Sequence, residues 1–70
     1  MIKLTALDKR EFYLNAELVE QIESVPETVI TLTNGKKLLV RNTVEEVVEK
    51  ITKYKQQIFN FMVRELEVQE

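Results

Sequence analysis

The chain is expected to fold as α+β, a small antiparallel sheet of about five short strands followed by one long C-terminal amphipathic helix. Three observations lead there. Asn34-Gly35 sits between two runs rich in β-branched and aliphatic residues within 25–41, a strong short-range mark of a β-hairpin. The first residues alternate apolar and polar with a period of two, as a strand with one buried face does. After Arg41 the period changes to about 3.6, and neither glycine nor proline follows Gly35. Residues 1–42 are therefore assigned to the sheet and 43–70 to a helix of the same single domain.

In chain order, Ile2, Leu4 and Ala6 point one way and Lys3 and Thr5 the other, giving a first strand. Asp8-Lys9-Arg10 is polar and reads as a turn whose type stays open without a glycine. Residues 11–15 form a second strand, with Phe12 and Leu14 on one face and Tyr13 on the other. Residues 15–25 allow two readings. Asn15 is able to cap a short helix carrying Leu18, Val19 and Ile22; alternatively a tight turn at 15–17 leads into a strand, with Leu18 and Ile22 on one side and Val19 and Val25 on the other. The strand is preferred, because Pro26-Glu27 is so brief a punctuation that a hairpin into Thr28 follows naturally.

For the central hairpin, a two-residue type I′ turn at Asn34-Gly35 sets Thr33 opposite Lys36, Leu32 opposite Lys37, Thr31 opposite Leu38, Ile30 opposite Leu39 and Val29 opposite Val40. One face then carries Val29, Thr31, Leu38 and Val40, and the other Ile30, Leu32 and Leu39. Both faces are largely apolar in this register, so the ribbon needs cover on two sides, from its own chain or from another copy. Pro26, Asn34 and Gly35 are structural turn residues.

Thr43 followed by Glu46 is a capping-box pattern, and Glu45, Glu46 and Glu49 suit a helix N-terminus. Val44, Val47, Val48, Ile51, Tyr54, Ile58, Phe61 and Met62 make one apolar stripe. Glu46 with Lys50, and Glu49 with Lys53, stand at the favourable i, i+4 spacing. A helix of this length spans roughly 35 to 40 Å and should overhang a sheet of short strands. Its second half opens a further stripe through Phe59, Val63 and Leu66. Ile30, Leu32, Leu39, Tyr54, Ile58, Phe59, Phe61, Met62 and Leu66 are accordingly the candidate interface residues.

Seventy residues make a marginal core by themselves. Small chains are usually helped by disulfides, a metal or oligomerisation, and cysteine and histidine are both absent. A homo-oligomer is therefore expected. The same absence removes the usual nucleophile and base arrangements and thiolate or imidazole metal sites, and a single glycine builds no phosphate-cradling loop. No catalytic residue, cofactor or metal ligand is assigned. Glu17, Glu20, Glu23 and Glu27 read as a solvated strand edge before they read as a cation site. The formal charge of −2 lacks the basic footprint of a nucleic-acid binder. No run of residues reads as a signal peptide or a membrane span, so the expected address is cytoplasmic.

The opening Ile-Lys-Leu-Thr, the Glu-Phe-Tyr-Leu-Asn of the second strand, the block from Pro26-Glu27-Thr28 to Asn34-Gly35-Lys36-Lys37, Val40, and Val44-Glu45-Glu46-Val47 through Ile51 and Tyr54 resemble the flagellar FlbD family, which includes SwrD-like swarming motility proteins. The resemblance runs from Met1 to about Lys55. Family members usually carry Asn-Gly in the first turn where this chain has Asp8-Lys9, which leaves that turn's shape open, and nothing is carried over to residues 56–70. The resemblance implies a non-enzymatic accessory protein of flagellar motility that supports motor and stator power, with a motor or stator component as candidate partner and the inner membrane face near the motor as a candidate place. Two other classes compete: a small nucleic-acid-binding regulator of flagellar genes using Lys36, Lys37 and Arg41, and a peripheral membrane adaptor using Phe59, Phe61, Met62 and Leu66.

Overall fold

The computed structural model describes the backbone of residues 1–68 and the side chains of residues 1–66. Five strands, β1 (Ile2–Thr5), β2 (Glu11–Leu14), β3 (Val19–Ser24), β4 (Thr28–Leu32) and β5 (Lys37–Val40), precede a single helix, α1 (Val44–Val68). The α+β class and the strand count are those the sequence predicts. The ambiguous segment is a 3₁₀ turn over Ala16–Leu18 followed by β3. Asn15 caps that turn by accepting the Glu17 N–H at 3.0 Å.

The strands do not form one continuous sheet. β1 pairs with β2, and β3, β4 and β5 make a separate three-stranded antiparallel sheet in that order. The two meet at a single bridge between Ala6 and Val40. Beside it the Arg41 N–H donates to the Thr5 carbonyl at 2.7 Å. The Thr5 N–H is taken by the Asn42 side-chain oxygen at 2.8 Å, so no further rung joins β1 to β5 before the chain turns into the helix.

The β4–β5 register differs from the expected one by a single residue. Thr28 faces Val40, Val29 faces Leu39, Ile30 faces Leu38 and Thr31 faces Lys37. The loop has three residues instead of two: the Leu32 N–H donates to Lys36 O, the Gly35 N–H donates to Leu32 O, and Gly35 takes φ +87°. That is a type I turn closed by a left-handed residue. A one-residue slip exchanges faces along the slipped strand. Thr28, Ile30, Leu32, Leu38 and Val40 now share the inner face, while Val29, Thr31, Lys37 and Leu39 share the outer one. The hairpin is thus one-sided, and the expectation of two largely apolar faces is corrected.

The first hairpin has the same loop. The Ala6 N–H donates to Arg10 O, the Lys9 N–H donates to Ala6 O, and Lys9 occupies the left-handed position with φ +74°. Asp8 accepts the Arg10 N–H at 3.1 Å as Asn34 accepts the Lys36 N–H at 3.0 Å. This turn thus takes the shape of the β4–β5 loop without a glycine. In β3 the pairing shifts between Val19 and Gln21. This bulge brings Val19 and Ile22, which an unbroken strand would place on opposite faces, together against the core.

The core lies between the two sheets and the first half of α1. Ile2, Leu4, Leu14, Ala16, Ile30, Leu32, Val40 and Val47 form it, with Phe12, Val19, Ile22, Leu38, Ile51 and Tyr54 packed around them. α1 crosses β1 and β3. Its start is fixed by the expected capping box: the Thr43 N–H donates to the Glu46 carboxylate at 3.0 Å and the Glu46 N–H donates to Thr43 Oγ1 at 3.1 Å. Glu46 is thereby used as a cap, and the i, i+4 ion pair that forms is Lys53 with Glu49 at 3.1 Å.

Candidate functional site: the uncovered helix tail

At 1.5 Å per residue, the 25 residues of α1 extend about 37 Å. Strands of four to six residues reach only about 13 to 20 Å. The helix consequently runs past the sheets, and the molecule measures 50 × 22 × 18 Å. The burial of α1 changes along its length. Val47 is fully buried, and Val44, Ile51 and Tyr54 are partly covered. Beyond them Ile58 is 37% exposed, and Phe59, Phe61, Met62 and Leu66 are each more than half exposed.

Ile58 and Phe61 continue the stripe that faces the sheets, and Phe59, Met62 and Leu66 widen it. Placed at about 100° per residue, Ile58, Phe59, Phe61, Met62, Val63 and Leu66 spread over an arc of about 200°. A solvent-facing helix of a globular protein ordinarily shows a polar face of that width. Val48, exposed near the helix start, lies in line with Phe59 and Leu66. It belongs to the same side, and the sequence stripe had grouped it with the sheet-facing residues. The signal that separates the two sets is the heptad-like spacing of 48, 59, 62 and 66, which runs about 100° around from 47, 51, 54 and 58.

Six of the nine expected interface residues, Tyr54, Ile58, Phe59, Phe61, Met62 and Leu66, thus lie on α1, with Tyr54 half-covered and the other five forming the exposed tail surface. Ile30 and Leu32 are elsewhere. They are 0% and 8% exposed and belong to the core, because the three-residue loop turns them inward. Leu39 is 47% exposed on the outer face of the three-stranded sheet, where it borders a shallow hollow with Val25, Val29, Glu23 and Lys37. The apolar surface therefore falls in two places: the large helical tail, and a smaller sheet patch. Pro26 follows a cis peptide bond in the β3–β4 turn, and Asn34 and Gly35 shape the β4–β5 loop.

The basic residues offered for nucleic acid do not converge. Lys36 and Lys37 stand at the loop end of β5, whereas Arg41 lies beyond its other end and donates from Nε to the Leu7 carbonyl at 3.1 Å. Among the described residues no group of three or more acidic side chains is placed to hold a metal ion. No helix of the described residues is long and apolar enough to cross a membrane. The largest hollow runs along α1 between Thr52, Lys55, Gln56, Phe59 and Asn60, and another is bounded by Leu7, Ser24, Pro26, Arg41, Thr43 and Val44; both are open to solvent. The carboxyls of Asp8 and Glu46 are held below the usual range, Asp8 mainly by the Arg10 backbone N–H and Glu46 mainly by the Thr43 backbone N–H. Both are turn and cap devices.

Together these features define a small α+β chain with two sheets and a long helix whose second half is apolar and uncovered. A family profile described as flagellar and swarming motility proteins, FlbD, matches residues 1–59. The chain belongs to this family, and its role lies in flagellar or swarming motility. The match takes in both sheets and α1 as far as Phe59, so most of the exposed tail falls beyond it. No curated protein and no solved structure matches the chain.

Proposed function

We propose that the protein is a non-enzymatic accessory of flagellar motility that works by protein contact, as an oligomeric interaction module supporting the power delivered by the motor and its stators, in the manner of SwrD-like swarming proteins. The observation that carries the contact half of this reading is the tail of α1, where five large apolar side chains stand in solvent beyond the sheets. Exposed apolar surface of that size, contiguous and at helical spacing, usually marks an interface. Family membership carries the motility half. The place of action is the cytoplasmic side of the membrane near the motor, with a motor or stator component as partner.

Two measurements test it. Replacing Ile58→Glu or Phe61→Glu introduces a charge into the tail surface without touching the core, and is expected to lower the assembly state in sedimentation while far-UV circular dichroism stays unchanged. In motile cells, deletion of the gene should reduce swarming and motor torque, and the Phe61→Glu allele should fail to restore them. A deletion strain with normal torque and normal swarming removes the motor-support reading.

A further inference from the structure

The apolar arc of the tail contains two charged residues. Lys55 and Glu65 have opposite sign, are ten residues apart, and form no ion pair among the described residues. All other charged residues of the tail up to Leu66 lie outside the arc. The pattern is self-complementary about a point near Asn60: Lys55 and Glu65 stand five residues either side of it, and Ile58 and Met62 two residues either side. We propose that the α1 tails of two copies pair antiparallel about a two-fold axis near Asn60, so that Lys55 of each copy meets Glu65 of the other and Ile58 meets Met62. The proposal rests on the oligomeric reading above and names the partner as a second copy of this chain.

Charge complementarity selects the orientation. A parallel, in-register pair sets Lys55 against Lys55 and Glu65 against Glu65 in the middle of an apolar seam, where like charges are destabilising. The antiparallel pair replaces these with two opposite-sign contacts related by symmetry, as a closed two-fold interface requires. The Lys55 stem also covers neighbouring apolar surface while its ammonium reaches the carboxylate. The exposed parts of Ile58, Phe59, Phe61, Met62 and Leu66 amount to roughly 500 Å² per chain. One partner helix covers part of their roughly 200° arc, so two chains bury at most about 1,000 Å² of apolar surface, at the low end for a specific interface before polar flanks are added.

The fold leaves room for this arrangement. The sheets pack on the first half of α1, around Val47, Ile51 and Tyr54. With the axis near Asn60, Val68 of the partner copy lies level with Thr52, so its last turn runs beside the sheet-packed stretch at Tyr54, on the open side of α1 marked by Val48, Phe59 and Leu66. The two sheet bodies then sit at opposite ends of an elongated dimer and do not collide.

Because the chain has no cysteine, single-cysteine variants report the geometry directly. Lys55→Cys and Glu65→Cys proteins, mixed in equal amounts, should form a disulfide-linked heterodimer much faster than either protein alone. In sedimentation velocity, Lys55→Glu and Glu65→Lys should each raise the dimer dissociation constant by about 10-fold, and the double charge swap should return it to within about threefold of wild type. If each cysteine variant links to itself and the mixture gains nothing, or if the double swap is as weak as the singles, antiparallel pairing is overturned while an assembling wild type leaves the oligomeric reading standing. A wild type that remains monomeric at about 100 μM, including one that co-sediments with anionic lipid vesicles instead, overturns both.

Discussion

Lys9 and Gly35 occupy equivalent positions in two equivalent loops, and both lie in the left-handed region. An L side chain there costs about 1–2 kcal/mol relative to its preferred backbone conformation, which glycine avoids. At Gly35 a Cβ would meet nothing within 4 Å, so the penalty of Gly35→Ala is the backbone's alone. That variant is expected to lose about 1 kcal/mol in urea denaturation, and Lys9→Gly to gain up to about 1 kcal/mol. In a chain of this size, either change should move the thermal midpoint by about 4–8 °C per kcal/mol. Glu46 offers a pH readout. Its carboxyl is held below the ordinary glutamate range in the folded state, mainly by the Thr43 N–H and then by the Thr43 hydroxyl-side contact. A depressed folded value means that the contribution is fully present above the unfolded glutamate range and disappears as pH falls through the folded value. Stability measured against pH should therefore show a steeper acid loss for wild type than for Glu46→Gln. Thr43→Ala removes the other half of the cap and should cost about 1 kcal/mol at neutral pH.

At the scale of elements, the slip in β4–β5 shows how a loop length decides which residues are inside. The Asn-Gly pair suits a two-residue turn, and equally a three-residue loop in which glycine closes a type I turn. Local chemistry does not choose between them. Burial does: the longer loop collects Thr28, Ile30, Leu32, Leu38 and Val40 on the core side and leaves Lys37 in water. Ile30→Ala should consequently cost about 2–5 kcal/mol and Leu39→Ala under about 1 kcal/mol. In the two-residue register Ile30 and Leu39 share a face, which predicts no such division. The bulge in β3 is a similar case, since the sequence of β3 contains no glycine or proline to announce it. Along α1, neighbouring valines separate the sheet-facing side from the open one. Val47 is fully buried and Val48 is 47% exposed. Val47→Ala should lower stability by about 2 kcal/mol, whereas Val48→Ala should change it by less than about 0.5 kcal/mol in the monomer.

For the whole molecule, the organising fact is a mismatch of lengths. Strands of four to six residues cannot cover a helix of 25. Among the described residues the eight buried hydrophobic side chains gather at one end, and the other end keeps its apolar surface in solvent. A helix without tertiary support is marginal in water. The tail should therefore be the first segment to exchange its amide hydrogens when the protein is dilute, with protection rising as concentration increases and copies associate. Exchange measured at two concentrations well apart checks this: protection of the tail that does not change, while the protein remains monomeric, would place the tail's support within its own chain.

Local chemistry determined much of this protein by itself. The Thr43 and Glu46 spacing sets the start of α1, Asn15 and Pro26 punctuate the strands around β3, and the change of period at Arg41 separates sheet from helix. The excess of apolar side chains on the helix tail was also legible, because a count at helical spacing needs no coordinates. Tertiary structure decided what depends on contacts distant in sequence. It chose the three-residue loop and thereby moved Ile30 and Leu32 from candidate surface to core. It divided five strands into two sheets once Asn42 had taken the Thr5 N–H. It also showed that Lys9 shapes its turn as Gly35 does, because the pairing of β1 with β2 holds a lysine in a conformation that its local sequence does not favour.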